Sequence, residues 1–395
     1  MCFAVHGHTP AGGDRKLRIT FMTSLQEEKT GASGQGEDSG KRDLKSMDLE
    51  ELTRLIREKG LPAFRAKQIF QWLHVRHVRG YEEMTNLPAA LRQSLAGEYP
   101  LVTASVADRQ TSRIDGTQKF LFRLPDGCLV ESVFMRYKFG NSVCISSQVG
   151  CRMGCRFCAS TLHGLVRSLS PSEMLEQIYA IRRETGENIS HVVVMGMGEP
   201  LDNYDNLIRF LRLLTCPEGM NLSQRNVTVS TCGIVPNIYR LAEEGLHITL
   251  ALSLHASTDE ERRRIMPVAN KYSIAQLMEA CSRYYQKTGR QITFEYSLIS
   301  GVNDGPAQAQ GLAELAKPLK AHINLIPVNP VREREFVRPD NTAVQAFKKK
   351  LEINGVNVSI RRALGKDIEG ACGQLRNRYS GRENRKNEIS VTSQS

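Results

Sequence analysis

The spacing of apolar residues changes twice along this chain. Residues 47–99 carry apolar side chains at helical spacing, and between 101 and 138 the apolar residues fall in short strand-like runs around a Pro-Asp-Gly turn. From residue 143 onward, strand-like and helical stretches alternate. The pattern therefore predicts a small helical domain, a short β extension and a larger α/β core. The three predicted N-terminal helices are 47–60, 64–80 and 88–99.

In the core, apolar strands alternate with helices as expected for a parallel sheet covered by helices. After a first strand near 143, the predicted strands are VVVM (192–195), NVTVS (226–230), ITLALSL (248–254), ITFEYSL (292–298) and INLI (323–326). The predicted helices between them are 171–186, 204–215, 236–244, 273–287 and 306–318. Six such units are too few to close an eight-fold barrel. The predicted fold is therefore α/β, an open, partial (β/α)6 barrel, with a doubly wound sheet as the alternative.

Composition marks the two ends of the chain as separate from this fold. The stretch 31–40 is rich in Gly, Ser and charged residues and lacks apolar periodicity. We therefore expect residues 1–46 to be a disordered extension, or to precede a true start at Met47. The predicted segments are 1–46, the extension; 47–99, a helical accessory domain whose basic surface we expect to bind nucleic acid; 100–140, the β extension; 141–378, the core with a cysteine-bearing loop at its C-terminal end; and 379–395, a disordered basic tail.

Composition also narrows the class of protein. The chain has 395 residues, 41% of them hydrophobic, and no apolar run approaches the roughly 18 residues that a membrane span needs. The N-terminus lacks the apolar segment and cleavage site of a secretory signal. Ten cysteines without such a signal indicate reduced thiols used for metal or redox chemistry, so we expect a cytoplasmic protein. The net charge of +11 favours a polyanionic partner such as nucleic acid.

Four of the ten cysteines lie within fifteen residues. Cys151, Cys155 and Cys158 are spaced C-x3-C-x2-C, and Cys144 stands seven residues ahead of them. Three thiolates from one loop can hold three irons of a cubane cluster and leave the fourth iron open to a substrate or cofactor. A structural zinc site is the alternative, and His163 would be its fourth ligand because such sites are closed by four ligands.

The cysteine spacing, with an aromatic residue before the last cysteine, resembles the signature of the radical S-adenosylmethionine (SAM) superfamily. The resemblance implies a [4Fe–4S] cluster whose open iron binds SAM and whose electron splits SAM to a 5′-deoxyadenosyl radical. Gly198 and Glu199 follow the second core strand, where that superfamily carries a Gly-Gly-Glu-like turn. A glycine lets the backbone approach the ligand, and Glu199 can accept hydrogen bonds from the SAM ammonium group.

Other polar residues stand at the carboxyl ends of predicted strands, where (β/α) barrels build their active sites. We therefore expect them to help bind the cofactor, His255 through its loop backbone. These residues are Ser230, Ser253, Leu254, His255 and Asn329.

Two further stretches narrow the resemblance to the RlmN/Cfr family of radical SAM RNA methyltransferases. CISSQVGC places Cys144 before the cluster, and ACGQLR carries Cys372. Together with VESVFM (Glu131), MGMGEPL, SLHA and NLIPVNP, these motifs cover roughly residues 47–377. The resemblance implies an adenine of 23S rRNA as substrate. It also implies, for the RlmN branch, an adenine beside the tRNA anticodon and methylation at C2, which Val149 and Pro200 favour.

The same resemblance implies roles for three residues. Cys372 takes a methyl group from a first SAM by nucleophilic displacement. A second SAM yields the radical that abstracts hydrogen from this S-methyl group, and the resulting carbon adds to the adenine. Cys144 then resolves the link between enzyme and RNA by forming a disulfide with Cys372, and Glu131 matches the family's proposed proton acceptor. The expected partners are 23S rRNA, tRNA and an electron donor such as flavodoxin or ferredoxin, and the expected state is a monomer.

Two alternatives remain open at this stage. One is a Cfr-like enzyme that methylates C8 of adenine in 23S rRNA and confers antibiotic resistance. The other is a non-enzymatic RNA-binding protein with a structural Fe–S or zinc site, in which the basic helices of 47–99 bind phosphate. A structural site gives no reason for an open iron or for a distant Cys372.

Overall fold

The computed structural model describes residues 43–331, 333–368 and 373–379. All of them fall within one compact unit, Lys41–Ser395. The predicted extension up to residue 42, the tail beyond residue 379 and Cys372 lie outside the described residues.

The N-terminal helices form where the apolar spacing predicts them. They are α1 (Leu49–Glu58), α2 (Phe64–His74) and α3 (Ala89–Glu98). Asp48 caps α1 in a reciprocal arrangement, because its side chain accepts from the Glu51 backbone while the Glu51 side chain accepts from the Asp48 backbone. The apolar face of α2 includes the fully buried Phe70 and Leu73, and these side chains join the same hydrophobic core as the sheet.

The folded part begins earlier than residue 47. Residues Leu44–Ser46 form a short 3-10 turn in which Leu44 and Lys45 are fully buried. The Lys45 ammonium contacts the Glu176 carboxylate at 2.7 Å, and both side chains are excluded from solvent. Residues 43–46 therefore belong to the folded part of the chain, and the predicted boundary after residue 46 is wrong for these four residues. Sequence pattern missed them because a long-range ion pair, and not local periodicity, holds them in place.

A single sheet organises the rest of the chain. Its strands, and those of a small second sheet, are β1 (Ser105–Thr111), β2 (Gln118–Arg123), β3 (Leu129–Tyr137), β4 (Gly140–Ile145), β5 (Gln148–Gly150), β6 (Leu165–Ser168), β7 (His191–Val194), β8 (Val227–Thr231), β9 (Thr249–Ser253), β10 (Thr293–Leu298), β11 (His322–Pro327) and β12 (Val358–Ile360). Among the described residues, the large sheet has the order β1-β2-β3-β4-β7-β8-β9-β10-β11-β12, and β5 pairs with β6 alone.

The large sheet combines two pairing modes. Strands β1 to β4 are antiparallel to one another, whereas β4 and β7 to β12 run parallel. The helices that follow the parallel strands are α4 (Pro171–Thr185), α5 (Tyr204–Thr215), α6 (Val235–Glu243), α7 (Asp259–Ile265), α8 (Ile274–Thr288), α9 (Pro306–Ala316) and α10 (Asn341–Ile353). The predicted α/β class, open (β/α)6 arrangement and β extension are confirmed, with β12 adding one more parallel strand. A helical turn at 374–379 follows near the end of the chain.

Helix α4 joins the accessory helices to the sheet. Ser170 and Glu173 form the predicted capping box at its start. Every residue from Pro171 to Ile181 is buried, so the helix has no solvent-facing side over that stretch. One side contacts the N-terminal turn through Lys45, and the other contacts β4. No helix among the described residues is long and apolar enough to cross a membrane.

Candidate active site

The parallel strands end at a cavity of about 340 Å³. Because residues of β3, β4 and each strand from β7 to β11 line it, the sheet curves around this space. Parallel (β/α) folds build their sites at the carboxyl ends of their strands, and the cavity lies there. Of the predicted site residues, those that line it are Cys144, Cys151, Cys155, Cys158, Gly198, Glu199, Ser230, Ser253, His255 and Asn329.

The three cluster cysteines lie on the loop 151–164, called here the cluster loop. Its start is fixed by a hydrogen bond from the Cys151 amide to the Gly164 carbonyl at 2.9 Å. The Thr161 hydroxyl lies 3.1 Å from the carbonyl oxygen of Cys155 and 2.9 Å from that of Cys158. Cys155 also packs in a small apolar cluster with Ile265 and its neighbours. The loop therefore presents three thiols from a rigid, apolar support.

This donor set fits an iron–sulfur cluster. Burial raises the pKa of the Cys151 thiol to about 12, so a thiolate there needs the positive charge of bound iron. Within the described residues, no group of three or more His, Cys, Asp or Glu side chains is arranged to hold a metal ion. In a cubane each cysteine binds a different iron, so three thiols from one loop are a suitable donor set. His163 is exposed and outside the cavity lining, and the zinc alternative gains no support.

Gly198 occupies a position that a larger residue would not fit. Its φ is +100°, and a Cβ there would lie 2.6 Å from the Cβ of Gln148. The Gln148 side chain in turn accepts a hydrogen bond from the Glu199 amide at 2.9 Å. The predicted turn after the second core strand is thus tied to the segment that leads into the cluster loop.

The Glu199 carboxylate is buried and already engaged by protein donors. It accepts hydrogen bonds from the Thr231 hydroxyl at 2.7 Å, the Cys232 amide at 2.8 Å and the Leu201 amide at 3.1 Å. Burial raises the pKa of Glu199, and these hydrogen bonds oppose the rise. The carboxylate joins the exits of β7 and β8. Further hydrogen bonds to an ammonium group would use its remaining lone pairs.

The exits of β8 and β9 are joined in the same way. The Ser230 and Ser253 hydroxyls lie 3.3 Å apart at the cavity wall. Beneath them, the fully buried Arg262 donates to the Cys232 carbonyl at 2.6 Å and to the Leu254 carbonyl at 3.1 Å. Arg262 was not predicted as a site residue, because an arginine in the acidic and basic run of α7 looks like a solvated charge.

Leu254 and His255 differ in what they can offer a ligand. The Leu254 side chain is fully buried in the main core and outside the cavity lining, so only its backbone is available. His255 lines the cavity with φ of +59°, and its Nδ1 accepts from the Ser297 amide at 2.8 Å. Burial lowers the pKa of His255 to about 3. The ring is therefore neutral with its proton on Nε2, which does not suit a general base.

Several cavity residues were missed by sequence reasoning. The missed residues at the rim are Arg338, Arg361 and Arg362, and Arg338 approaches the side-chain oxygen of the predicted, exposed Asn329 at 3.4 Å. Inside, Glu295 is buried and both its oxygens accept from Asn324 at 3.0 and 3.2 Å. Two signals could have found them: an arginine pair directly after a strand, and a lone carboxylate within an apolar strand.

Cys144 and Glu131 lie on neighbouring strands. Cys144, on β4, is 4% exposed, lines the cavity and pairs in register with Val133 of β3. Glu131, two residues before Val133, is 2% exposed and accepts from the Gly373 amide at 2.6 Å and the Arg376 amide at 2.7 Å. A Cβ on Gly373 would lie 2.8 Å from the backbone nitrogen of Ser160, so Gly373 packs against the cluster loop.

Comparisons with known proteins agree with this architecture. Residues 145–309 match the family profile of the radical SAM superfamily, and residues 42–99 match that of the ribosomal RNA large subunit methyltransferase N-terminal domain. A radical SAM methyltransferase structure from Sphaerobacter thermophilus superposes with a TM-score of 0.81 at 42% identity, covering 84% of this chain and 98% of that chain.

Curated relatives extend the match to nearly their whole length. A protein of Lachnoclostridium phytofermentans named as a dual-specificity RNA methyltransferase of the RlmN type is 57% identical over 340 residues, 86% of this chain and 96% of that protein. One of the same name from Symbiobacterium thermophilum is 54% identical, covering 86% of this chain and 92% of that protein. These matches exclude the non-enzymatic alternative and imply a [4Fe–4S] cluster and SAM as cofactors. The chain belongs to the RlmN family of radical SAM RNA methyltransferases.

Proposed function

We propose that this protein methylates C2 of adenine in 23S rRNA and in tRNA through a methylated Cys372. The observation that carries the proposal is the shared cavity of Cys144 and the three cluster cysteines. Gly373, the residue after Cys372, packs against the cluster loop on the same side of the fold. The names of the relatives describe dual specificity toward RNA, and the matched N-terminal family profile is named for the large ribosomal RNA subunit.

Different residues of the cavity would bind the cluster and SAM. Cys151, Cys155 and Cys158 would hold the cluster, and the wall formed by Gly198, Glu199, Ser230, Ser253 and His255 would enclose SAM. Within the described part of the chain, the Ser160 hydroxyl lines the cavity without a hydrogen-bond partner, as expected of a group that meets a polar ligand. When bound, the cluster and SAM supply a one-electron reduction and an organic radical.

The methyl carbon that reaches adenine is first carried by a cysteine of the protein. Adenine C2 is electron-poor and cannot attack a methyl sulfonium, so a cysteine carries the methyl group instead. The Cys372 thiolate displaces S-adenosylhomocysteine from a first SAM and keeps its methyl group. After hydrogen abstraction from that group, its carbon would bond to C2, and the adduct would return its unpaired electron to the oxidised cluster and give up the C2 proton. The Cys144 thiolate would then attack the Cys372 sulfur and break the bond between that sulfur and the carbon. The disulfide that forms is later reduced, and the released carbon takes up a proton to give methyladenosine.

Glu131 serves this scheme as the proton acceptor at the substrate. Its carboxylate lies on the strand next to Cys144 and is held by two backbone amides of the segment that follows Cys372. A proton from the substrate would be accepted at a remaining lone pair of the oxygen that the Arg376 amide binds. Two SAM molecules are consumed per turnover, one for the methyl group and one for the radical. The electron donor is a small reductant such as flavodoxin or ferredoxin, and the enzyme acts as a monomer in the cytoplasm.

The proposal is tested by product analysis. Reconstituted protein is incubated anaerobically with SAM, dithionite and protein-free 23S rRNA or tRNA, and the nucleosides are identified by mass spectrometry. We expect 2-methyladenosine from both RNAs, together with 5′-deoxyadenosine. A product of 8-methyladenosine would overturn the assignment to C2, and methylation without a methyl group on Cys372 would overturn the carrier role.

A further inference from the structure

A buried ion pair joins β2 to β3 beside the cavity. The Lys119 ammonium lies 2.9 Å from the Glu131 carboxylate, and the two side chains are 0% and 2% exposed. Removing two charges from water costs several kcal/mol per ion unless further hydrogen bonds satisfy them. The other contacts of the Glu131 carboxylate indicate which part of the chain this ion pair could hold in place.

Those contacts are made by the segment that follows Cys372, residues 373–379. The Gly373 amide donates to the same oxygen that Lys119 contacts, and the Arg376 amide donates to the other. Both carboxylate oxygens are therefore bound by this segment. The charge that attracts the amides is balanced by the Lys119 ammonium.

The segment 373–379 has further attachments, among them a contact of the Arg123 guanidinium with the Tyr379 ring at 5.9 Å. Leu375 is fully buried against Leu121 and Leu129, and the Gln374 side chain donates to the Pro330 carbonyl at 2.9 Å. Gly373 itself fits between the Glu131 carboxylate and the cluster loop. Among the described residues after Cys372, Gly373 is the first, and the carboxylate binds its amide nitrogen, which is bonded to Cys372.

We propose that Lys119 and Glu131 form a latch that fixes residues 373–379 and thereby positions the Cys372 thiol for methyl transfer. Lys119 is a positioning residue, since it acts through Glu131 and contacts neither substrate nor cofactor in this role. The inference rests on the proposed carrier role of Cys372. It assigns to two described residues, both far from Cys372 in sequence, a role in methyl transfer.

Lys119→Met tests the latch, with Lys45→Met as the matched control. Lys45 forms the other fully buried ion pair described above, with Glu176, on the N-terminal side of α4. Full-length reconstituted proteins are compared by intact mass for the methyl group on Cys372, and by the ratio of 5′-deoxyadenosine to methyladenosine formed. Lys119→Met should slow loading of the methyl group about tenfold or more and raise the ratio by a similar factor, because small displacements of reacting groups are costly. Lys119→Arg, which keeps the charge, should restore most of both.

Hydrogen exchange of the peptide 373–379 separates this inference from the proposed function. Faster exchange there in Lys119→Met, with unchanged exchange in Lys45→Met, supports the latch whether or not Cys372 carries a methyl group. The latch is overturned if Lys119→Met shows wild-type exchange in 373–379 and a wild-type ratio of 5′-deoxyadenosine to methyladenosine. It is also overturned if Lys45→Met raises that ratio as much as Lys119→Met does. Absence of the methyl group in wild-type protein would instead contradict the carrier role of Cys372.

Discussion

Thr231 donates its hydroxyl to the Glu199 carboxylate at 2.7 Å and so joins the exits of β8 and β7. Thr231→Val removes this donor while keeping the shape of the side chain. The Glu199 carboxylate keeps its two amide donors, so the cost is that of one hydrogen bond to a carboxylate, about 1.5–3 kcal/mol. We expect lower thermal stability and SAM affinity reduced about tenfold, measured by calorimetry at unchanged iron content. Thr228→Val, on the same strand, should leave SAM affinity unchanged.

Gly198→Ala should abolish tight SAM binding. The backbone there has φ of +100°, and the added methyl would lie 2.6 Å from the Cβ of Gln148. Gly289→Ala is the control, because Gly289 has φ of +66° at the end of α8 with open space around it. Each substitution carries the left-handed backbone penalty of about 1–2 kcal/mol, but only the first disturbs the turn. Equal SAM affinities for the two variants would contradict this account of the site.

Cys144→Ala should trap the protein on RNA. Without the thiol that resolves the link, the bond between Cys372 and the adenine carbon persists, and a covalent adduct should accumulate on denaturing gels. Cys281→Ala removes another buried cysteine, one in the core on α8, and should behave as wild type. Free methylated RNA at normal yield from Cys144→Ala would exclude its resolving role.

The arginines at the cavity rim should bind RNA phosphate. Arg338 and Arg362 line the cavity mouth, so replacing either by alanine should weaken RNA binding and reduce the slope of log K against log salt by about 1. Arg283→Ala removes a half-exposed arginine that pairs with Glu243 on the outer helices. If the slope of log K against log salt falls equally in all three variants, the rim arginines do not bind RNA phosphate specifically.

Acid should destabilise the contact between the accessory helices and α4. The His77 ring stacks on Tyr179 at 4.0 Å, and the His74 Nδ1 lies 3.0 Å from the Tyr179 hydroxyl. Burial lowers the pKa of both His74 and His77 to about 3, from an ordinary value near 6.5. Between these values the unfolded chain binds more protons, so the stabilisation is complete above about pH 6.5 and is lost as the pH falls toward 3.

His77→Asn isolates this contribution, since asparagine tolerates the φ of +55° at that position. Urea unfolding from pH 7 to pH 4.5 should show a shallower pH dependence for the variant than for the wild type. Identical slopes would show that other groups cause the acid sensitivity.

Local pattern predicted most of the fold and the centre of the site. The parallel strands, their helices and the cluster loop follow from periodicity and cysteine spacing, which are properties of short segments. The family resemblance singled out Gly198 and Cys144 as site residues, and both line the cavity.

The remaining features depend on partners far apart in the chain. Lys45 finds Glu176, and Lys119 finds Glu131, through contacts that no local period encodes. Glu295 and Asn324 meet only because β10 and β11 are neighbours in register. Leu254 was expected near the cofactor from its place at a strand end, yet its side chain turns into the core.

The burial of α4 on all sides has a consequence for how the molecule is divided. A truncated catalytic barrel that lacked the accessory helices would expose Tyr179 and its neighbours to water and leave the Glu176 charge without Lys45. The accessory helices are therefore part of the folded core of the barrel, because their side chains complete its hydrophobic interior. We therefore expect the accessory helices and the barrel to unfold together, as one cooperative unit with a shared hydrophobic core.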